Sequence, residues 1–131
     1  MISIIVPVYN AANYIEETIR TVVSQSCQDW ELLLIDDCSR DGSVEVIRKA
    51  INHYEKDGTA KGRIRLIAKQ QNEGAAKARN TGIMEAKGRY IAFLDADDLW
   101  YPDKLQKELS FMKQNNAAFV YCSYQFGDEN A

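Results

Sequence analysis

At 131 residues the chain has room for one compact domain and not for two of ordinary size. Its composition, 46% hydrophobic and 27% charged, is that of a globular protein able to bury a core, and no apolar run approaches the ~18 residues of a membrane-spanning helix. A formal net charge of −3 argues against a general affinity for nucleic acid.

The opening MISIIVPVYN has neither a basic leader nor a small-residue cleavage site, so it reads as a strand starting at Ile2 rather than a secretory signal. Ile2 to Val8 is near-continuously apolar, as a strand covered on both faces would be. Asn13, with Glu16 three residues on, predicts a helix N-cap, and Ile15, Ile19, Val22 and Val23 recur at helical spacing. Trp30 to Asp37 is a second buried strand ending in two carboxylates. After the turn SRDGS, Val44, Ile47, Ala50, Ile51 and Tyr54 mark a helix face.

Lys56 to Arg63 is a polar, glycine-bearing loop, and Ile64 to Ala68 a third strand. Asn72 to Gly88 predicts an alanine-rich helix stopped by Gly88. Arg89 to Asp95 is the fourth strand. Pro102 suits the first turn of a helix carrying Leu105, Leu109 and Met112, and Ala117 to Tyr124 is a fifth strand. Strands alternating with helices imply βαβ units, a mainly parallel sheet and ligands bound outside the carboxyl ends of the strands.

Three of those ends are polar: Tyr9-Asn10, Asp36-Asp37-Cys38-Ser39, and Asp95-Ala96-Asp97-Asp98. Each has a plain structural explanation, Asp36 and Asp37 as caps of the SRDGS turn, Asp97 and Asp98 as caps of the helix that follows. Capping needs one carboxylate per helix, however. Asp95-x-Asp97 supplies two on one face of an extended segment, a pair able to hold a hard divalent cation already bound to phosphate. The cation this pair implies is Mg²⁺ or Mn²⁺. Lys61, Arg63, Arg65, Lys69, Lys77, Arg79, Lys87 and Arg89 form a basic middle segment suited to an anionic ligand, although most of them read as solvated.

Cys27, Cys38 and Cys122 contain no C-x-x-C pair, and His53 is the one histidine, on a helix flank where a solvated side chain is expected. No cysteine-based zinc site follows, and a reducing, cytoplasmic compartment does.

PVYN, DDCSRDGS, AKARNTGI and FLDADD, in this order and spacing, resemble the amino-terminal half of family 2 glycosyltransferases, from Ile2 to about Tyr124. The resemblance implies a GT-A (Rossmann-like) fold, three-layer α/β/α with a mainly parallel central sheet. It implies a nucleotide site made by Pro7, Val8, Tyr9, Asp37, Arg79, Asp95, Ala96 and Asp97. In it Tyr9 stacks on the base, Asp37 accepts a base N–H, and Lys77 and Asn80 lie near Arg79. Asp95 and Asp97 are the D-x-D pair at the ribose and the metal-bound diphosphate; Asp97 or Asp98 is the direct metal ligand. It also implies a nucleotide-diphosphate sugar donor (UDP-sugar favoured), inverting transfer to a glycan or lipid-linked acceptor, and peripheral association with the inner face of a membrane.

In that family the general base lies well beyond the D-x-D segment. Asp128 and Glu129 sit in a polar tail and are not convincing candidates, so the 131 residues are expected to be one donor-binding part without the acceptor half. An uncovered sheet edge near Phe119 to Phe126 would favour a homo-oligomer. A dinucleotide oxidoreductase would need G-x-G-x-x-G after the first strand, where PVYNAAN stands, and a P-loop enzyme G-x-x-x-x-G-K-[ST]; both motifs are absent. A nucleotidyltransferase, preferring a triphosphate, and a non-catalytic domain of the same fold are the remaining alternatives.

Overall fold

The structure, a computed structural model, describes residues 1–115. In chain order they form β1 (Ile2–Val8), α1 (Ile15–Val23), β2 (Trp30–Asp36), α2 (Ser43–Asp57), β3 (Ile64–Ala68), α3 (Ala75–Glu85), β4 (Tyr90–Phe93) and α4 (Lys104–Asn115). The four strands make one sheet in the order β3-β2-β1-β4, every pair parallel. β1 and β2 are central, which is why they are the most uniformly apolar. Ile2 pairs with Trp30 and Val8 with Asp36, so both strands reach the same sheet edge in step.

Side chains alternate between two covered faces. Ile2, Ile4, Val6, Val8, Leu32 and Leu34 pack with Ile15, Ile19 and Val22 of α1, Ile47 of α2 and Leu105 of α4. Ile5, Leu33 and Ile35 pack with Ala78 of α3 on the other face, giving the expected three layers. The small residues of α3 let it lie close to the sheet. A Cβ on Gly82 would sit 2.5 Å from Cγ2 of the buried Ile5.

Several boundaries differ from expectation, each for a local reason. Asn13 does not cap α1: the N-cap is Tyr14, with no side-chain hydrogen bond. Instead the amides of Tyr14 and Ile15 both donate to the carbonyl of Ala11 at 2.9 Å. The amides of Ala11 and Ala12 are taken by Ser43 Oγ (2.8 Å) and Asp41 Oδ2 (3.2 Å) from the next loop. α3 ends at Glu85, and Ala86 is already extended, so Gly88 is not its stop. Gly88 lies against β1, where a Cβ would come within 2.6 Å of Ser3 Oγ and 2.8 Å of the Met1 carbonyl oxygen.

Pro102 lies ahead of α4, not in its first turn, and its carbonyl accepts from Ser26 N (2.7 Å). Leu105 and Met112 are buried as the stripe predicts. On α2, Val46 rather than Val44 joins Ile47, Ala50, Ile51 and Tyr54 against the core, and Gly58 closes the helix in the left-handed region (φ 77°). His53 is exposed beside Asp57 (3.6 Å). The fifth strand (117–124) and the proposed self-association segment (119–126) lie outside the described residues. Among the described residues, no helix is long and apolar enough to cross a membrane.

Candidate functional site

The loop after β2 spends most of its polar groups on itself and on the loop after β1. Asp36 is buried and accepts from Ser39 Oγ (2.5 Å) and Ser39 N (3.1 Å), capping its own turn. Ser39 Oγ accepts from Asn10 N (2.9 Å), and Asn10 Oδ1 accepts from Arg40 N (2.9 Å). Asn10 holds this position with φ 50°, a conformation asparagine tolerates better than most residues. Asp41 accepts from both Ser43 N and Ser43 Oγ. Four carboxylate or hydroxyl groups of DDCSRDGS, those of Asp36, Ser39, Asp41 and Ser43, are thus structural.

Asp37 differs. Its carboxylate reaches across to the start of α3, accepting from Glu73 N (3.0 Å) and Gly74 N (2.8 Å), with Lys69 Nζ 3.6 Å away. Gly74 has φ 97°, which a side chain would resist. Burial alone would push the Asp37 carboxyl up. The two amides and the Lys69 ammonium outweigh it and hold the group below the usual carboxylate range. A carboxylate at a helix N-terminus is also favoured by the aligned peptide dipoles.

The acidic run after β4 is not extended as predicted. Leu94 N still pairs with the Ile5 carbonyl (3.0 Å), but the chain then turns, with Asp98 N donating to the Asp95 carbonyl (3.0 Å). The Thr18 hydroxyl of α1 lies within hydrogen-bond distance of the carbonyls of Ala96 (2.6 Å) and Asp98 (3.1 Å), fixing the turn against α1. Arg79 Nη2 pairs with Asp95 Oδ1 at 3.2 Å, the one cation paired with this trio among the described residues. Burial, then Asp95, then Asp97 raise the Asp98 carboxyl above its ordinary value. The turn carries more negative charge than it neutralises.

Pro7, Val8, Tyr9, Asp37, Arg79, Asp95, Ala96 and Asp97, the eight residues predicted for a nucleotide site, line one cleft of about 290 Å³. The cleft lies at the carboxyl ends of β1, β2 and β4, where the strand order reverses direction. Asp98 is not in its lining. Asn10, already singled out as part of the first polar strand end, is in the lining, and so are Ala11, Tyr14 and Ala75, which sequence reasoning missed. Tyr14 did carry a signal, being an aromatic residue at a helix start but off the buried stripe; it is 55% exposed. Ala75 shows only its smallness beside Gly74.

No group of three or more His, Cys, Asp or Glu side chains is arranged to ligate a metal among the described residues. A cation carried by a diphosphate needs less, one or two carboxylates with phosphate oxygens and water. The exposed Asp97 and the unneutralised turn fit that requirement. The basic middle segment is not one patch. Arg63 covers the Trp30 ring (4.1 Å) and Arg65 pairs with Glu85 (2.7 Å), whereas Lys69, Lys77 and Arg79 stand at the cleft end.

A model of the family described as Glycosyl transferase family 2 matches residues 3–131. An Escherichia coli protein named UDP-Glc:alpha-D-GlcNAc-diphosphoundecaprenol beta-1,3-glucosyltransferase WfgD is 39% identical over 131 residues, which are the whole of this chain and 48% of that relative. The S. aureus TarS 1-349 crystal structure with UDP-GlcNAc superposes with a TM-score of 0.76 at 27% identity, over 88% of this chain and 32% of that one. The mannosyltransferase PcManGT of Pyrobaculum calidifontis, in complex with GDP-Man and Mn²⁺, gives 0.77 at 28% identity, over 85% and 32%. The chain therefore spans about half the length of the curated relative and about a third of each solved chain.

Proposed function

This chain belongs to glycosyl transferase family 2, and from that premise we propose that it is the donor-binding part of an enzyme that transfers a sugar from a UDP-sugar to an acceptor hydroxyl with inversion. The observation that carries the reading is the convergence of Asp37, Arg79, Asp95 and Asp97 from three separate chain segments on one cleft. UDP is favoured over GDP because the relative's name and the TarS complex both specify a uridine nucleotide.

Five of the lining residues have tasks that their chemistry suits. The half-exposed Tyr9 ring offers a face for the base. Asp37, held ionised, is acceptor-only and takes a ring N–H. Asp95, oriented by Arg79, takes ribose hydroxyls, and Arg79 brings positive charge towards the diphosphate. Asp97, with Asp98 beside it, would hold the divalent cation. When bound, that cation supplies positive charge to the oxygens of the departing nucleoside diphosphate. The acceptor hydroxyl attacks from the opposite side of the anomeric carbon. Its general base is assigned to no described residue. A lipid-linked acceptor at the inner membrane face is the acceptor reading, supported by the diphosphoundecaprenol in the relative's name.

Calorimetry with UDP, UTP, CDP and GDP in the presence of Mn²⁺ tests this. UDP should bind roughly tenfold or more tightly than CDP, the difference of about one charged hydrogen bond. A preference for UTP over UDP would overturn sugar transfer in favour of nucleotidyl transfer.

A further inference from the structure

Lys69 stands one residue beyond β3, behind the Asp37 that lines the cleft, and is unusual in its burial. Its side chain is only 11% exposed, whereas a lysine normally keeps its ammonium in water. Its own amide donates to the Asp36 carbonyl (2.8 Å), which continues the β2–β3 pairing past Ala68 and fixes where the side chain starts. The ammonium then sits between two carboxylates, 3.6 Å from Asp37 Oδ1 and 2.8 Å from Glu73 Oε1. The other Glu73 oxygen is 3.8 Å from Lys77 Nζ. The end of β2, the end of β3 and the start of α3 thus meet on one cation.

The division of labour on Asp37 is informative. Each carboxylate oxygen can accept about two hydrogen bonds. Oδ1 takes the Glu73 amide and faces Lys69, while Oδ2 takes only the Gly74 amide among the described residues. One acceptor position on Oδ2 is left for a ligand, and Asp37 lines the cleft.

We infer that Lys69 is a positioning residue for base recognition: by engaging Oδ1 and neutralising Glu73 it fixes the Asp37 carboxylate with Oδ2 presented to a ring N–H. This rests on Asp37 being the base acceptor, as proposed above. Without the ammonium, the Asp37 and Glu73 carboxylates face each other unscreened and the carboxylate loses its orientation. An acceptor-only group held in this way distinguishes a base with a ring N–H, such as uracil, from cytosine, whose corresponding ring nitrogen is itself an acceptor.

The test is a double-mutant cycle on UDP and CDP affinity, measured by calorimetry with Mn²⁺, in the wild type, Lys69→Met, Lys69→Arg, Asp37→Asn and the Lys69→Met/Asp37→Asn pair. Lys69→Met should weaken UDP roughly tenfold and leave CDP unchanged, so that the UDP-to-CDP preference falls by the same factor. Lys69→Arg should restore most of it. In the Asp37→Asn background Lys69→Met should have no further effect. Equal weakening of UDP and CDP, no weakening of either, or an undiminished Lys69→Met penalty in the Asp37→Asn background would each overturn the inference. If Lys69→Met does not fold, Lys69→Gln takes its place in the cycle. A wild type that binds no UDP, or an Asp37→Asn variant that keeps its full preference for UDP over CDP, would overturn the underlying reading of Asp37 instead.

Discussion

The two ends of the sheet are built from the same groups and put them to opposite uses. At the amino ends of the strands, the buried Glu31 accepts from Ser3 Oγ (2.5 Å) and Lys87 N (2.7 Å), and Ser3 Oγ in turn accepts from Gly88 N (2.7 Å). At the carboxyl ends, Asp37 is held in the same manner by two amides, but beside it stand Asp95, Asp97 and Asp98, of which Asp95 alone meets a cation, Arg79, among the described residues. The first knot is closed around its protein partners. The second leaves acceptor positions and negative charge facing a cleft. Partner supply separates a structural carboxylate from a functional one, and residue type does not.

That contrast is broken most severely at the amino end. Replacing Glu31 by Ala strands the Ser3 hydroxyl and the Lys87 amide in a buried site, and the loss in unfolding free energy should be about 2–4 kcal/mol in chemical denaturation. Gly88→Ala drives a methyl against Ser3 and the Met1 carbonyl and should cost about 1–3 kcal/mol in the same measurement. Both variants, where folded, should bind UDP as the wild type does, because neither residue lines the cleft.

At the carboxyl end the effects on folding shrink and those on binding grow. Asp37→Asn puts an amide N–H₂ against one of two backbone donors, a loss of about 1–2 kcal/mol in stability together with the loss of uridine preference. Asp98→Asn should do the reverse at neutral pH without metal, raising stability by up to about 1 kcal/mol, because burial, Asp95 and Asp97 all oppose its ionisation.

The pH dependences carry opposite signs. Asp37 is depressed in the folded state, so its contribution is present above its ordinary value of 3.8 and is lost as pH falls through its lower folded value. Asp98 is raised, so its contribution is present below 3.8 and is lost as pH rises through its higher folded value. Stabilisation by Mn²⁺, read as a shift in melting temperature, should fade as pH falls, because protons compete with the cation for the carboxylates of this turn. It should vanish on acidification before the Asp37 contacts loosen.

Strand positions were legible because β1 and β2 are apolar on both faces, a pattern with few other readings. Helix ends were less so. Asn13 has the look of a cap, yet the Ile15 amide it would have served donates to the Ala11 carbonyl, in a turn whose Ala11 and Ala12 amides are held by Ser43 and Asp41, far away in sequence and adjacent only in the fold. Gly88 fits a helix stop equally well on paper, and its real constraint is contact with Ser3 on another strand. The site was legible where polar residues end apolar strands, which selected Tyr9, Asp37, Asp95 and Asp97. Tyr14, Ala75 and Lys69 were not found, because their places depend on how α1, α3 and β3 meet the cleft. The bend at Asp95–Asp98 escaped for a similar reason, since Thr18 of α1 anchors it.

The most direct test of a metal-assisted uridine nucleotide site at the carboxyl ends is calorimetric titration of UDP with and without Mn²⁺, in the wild type and in Asp97→Ala. Binding should depend on Mn²⁺ and disappear in Asp97→Ala while the melting temperature stays near that of the wild type. UDP binding that is absent in the wild type, or that is indifferent to both Mn²⁺ and Asp97, would contradict it.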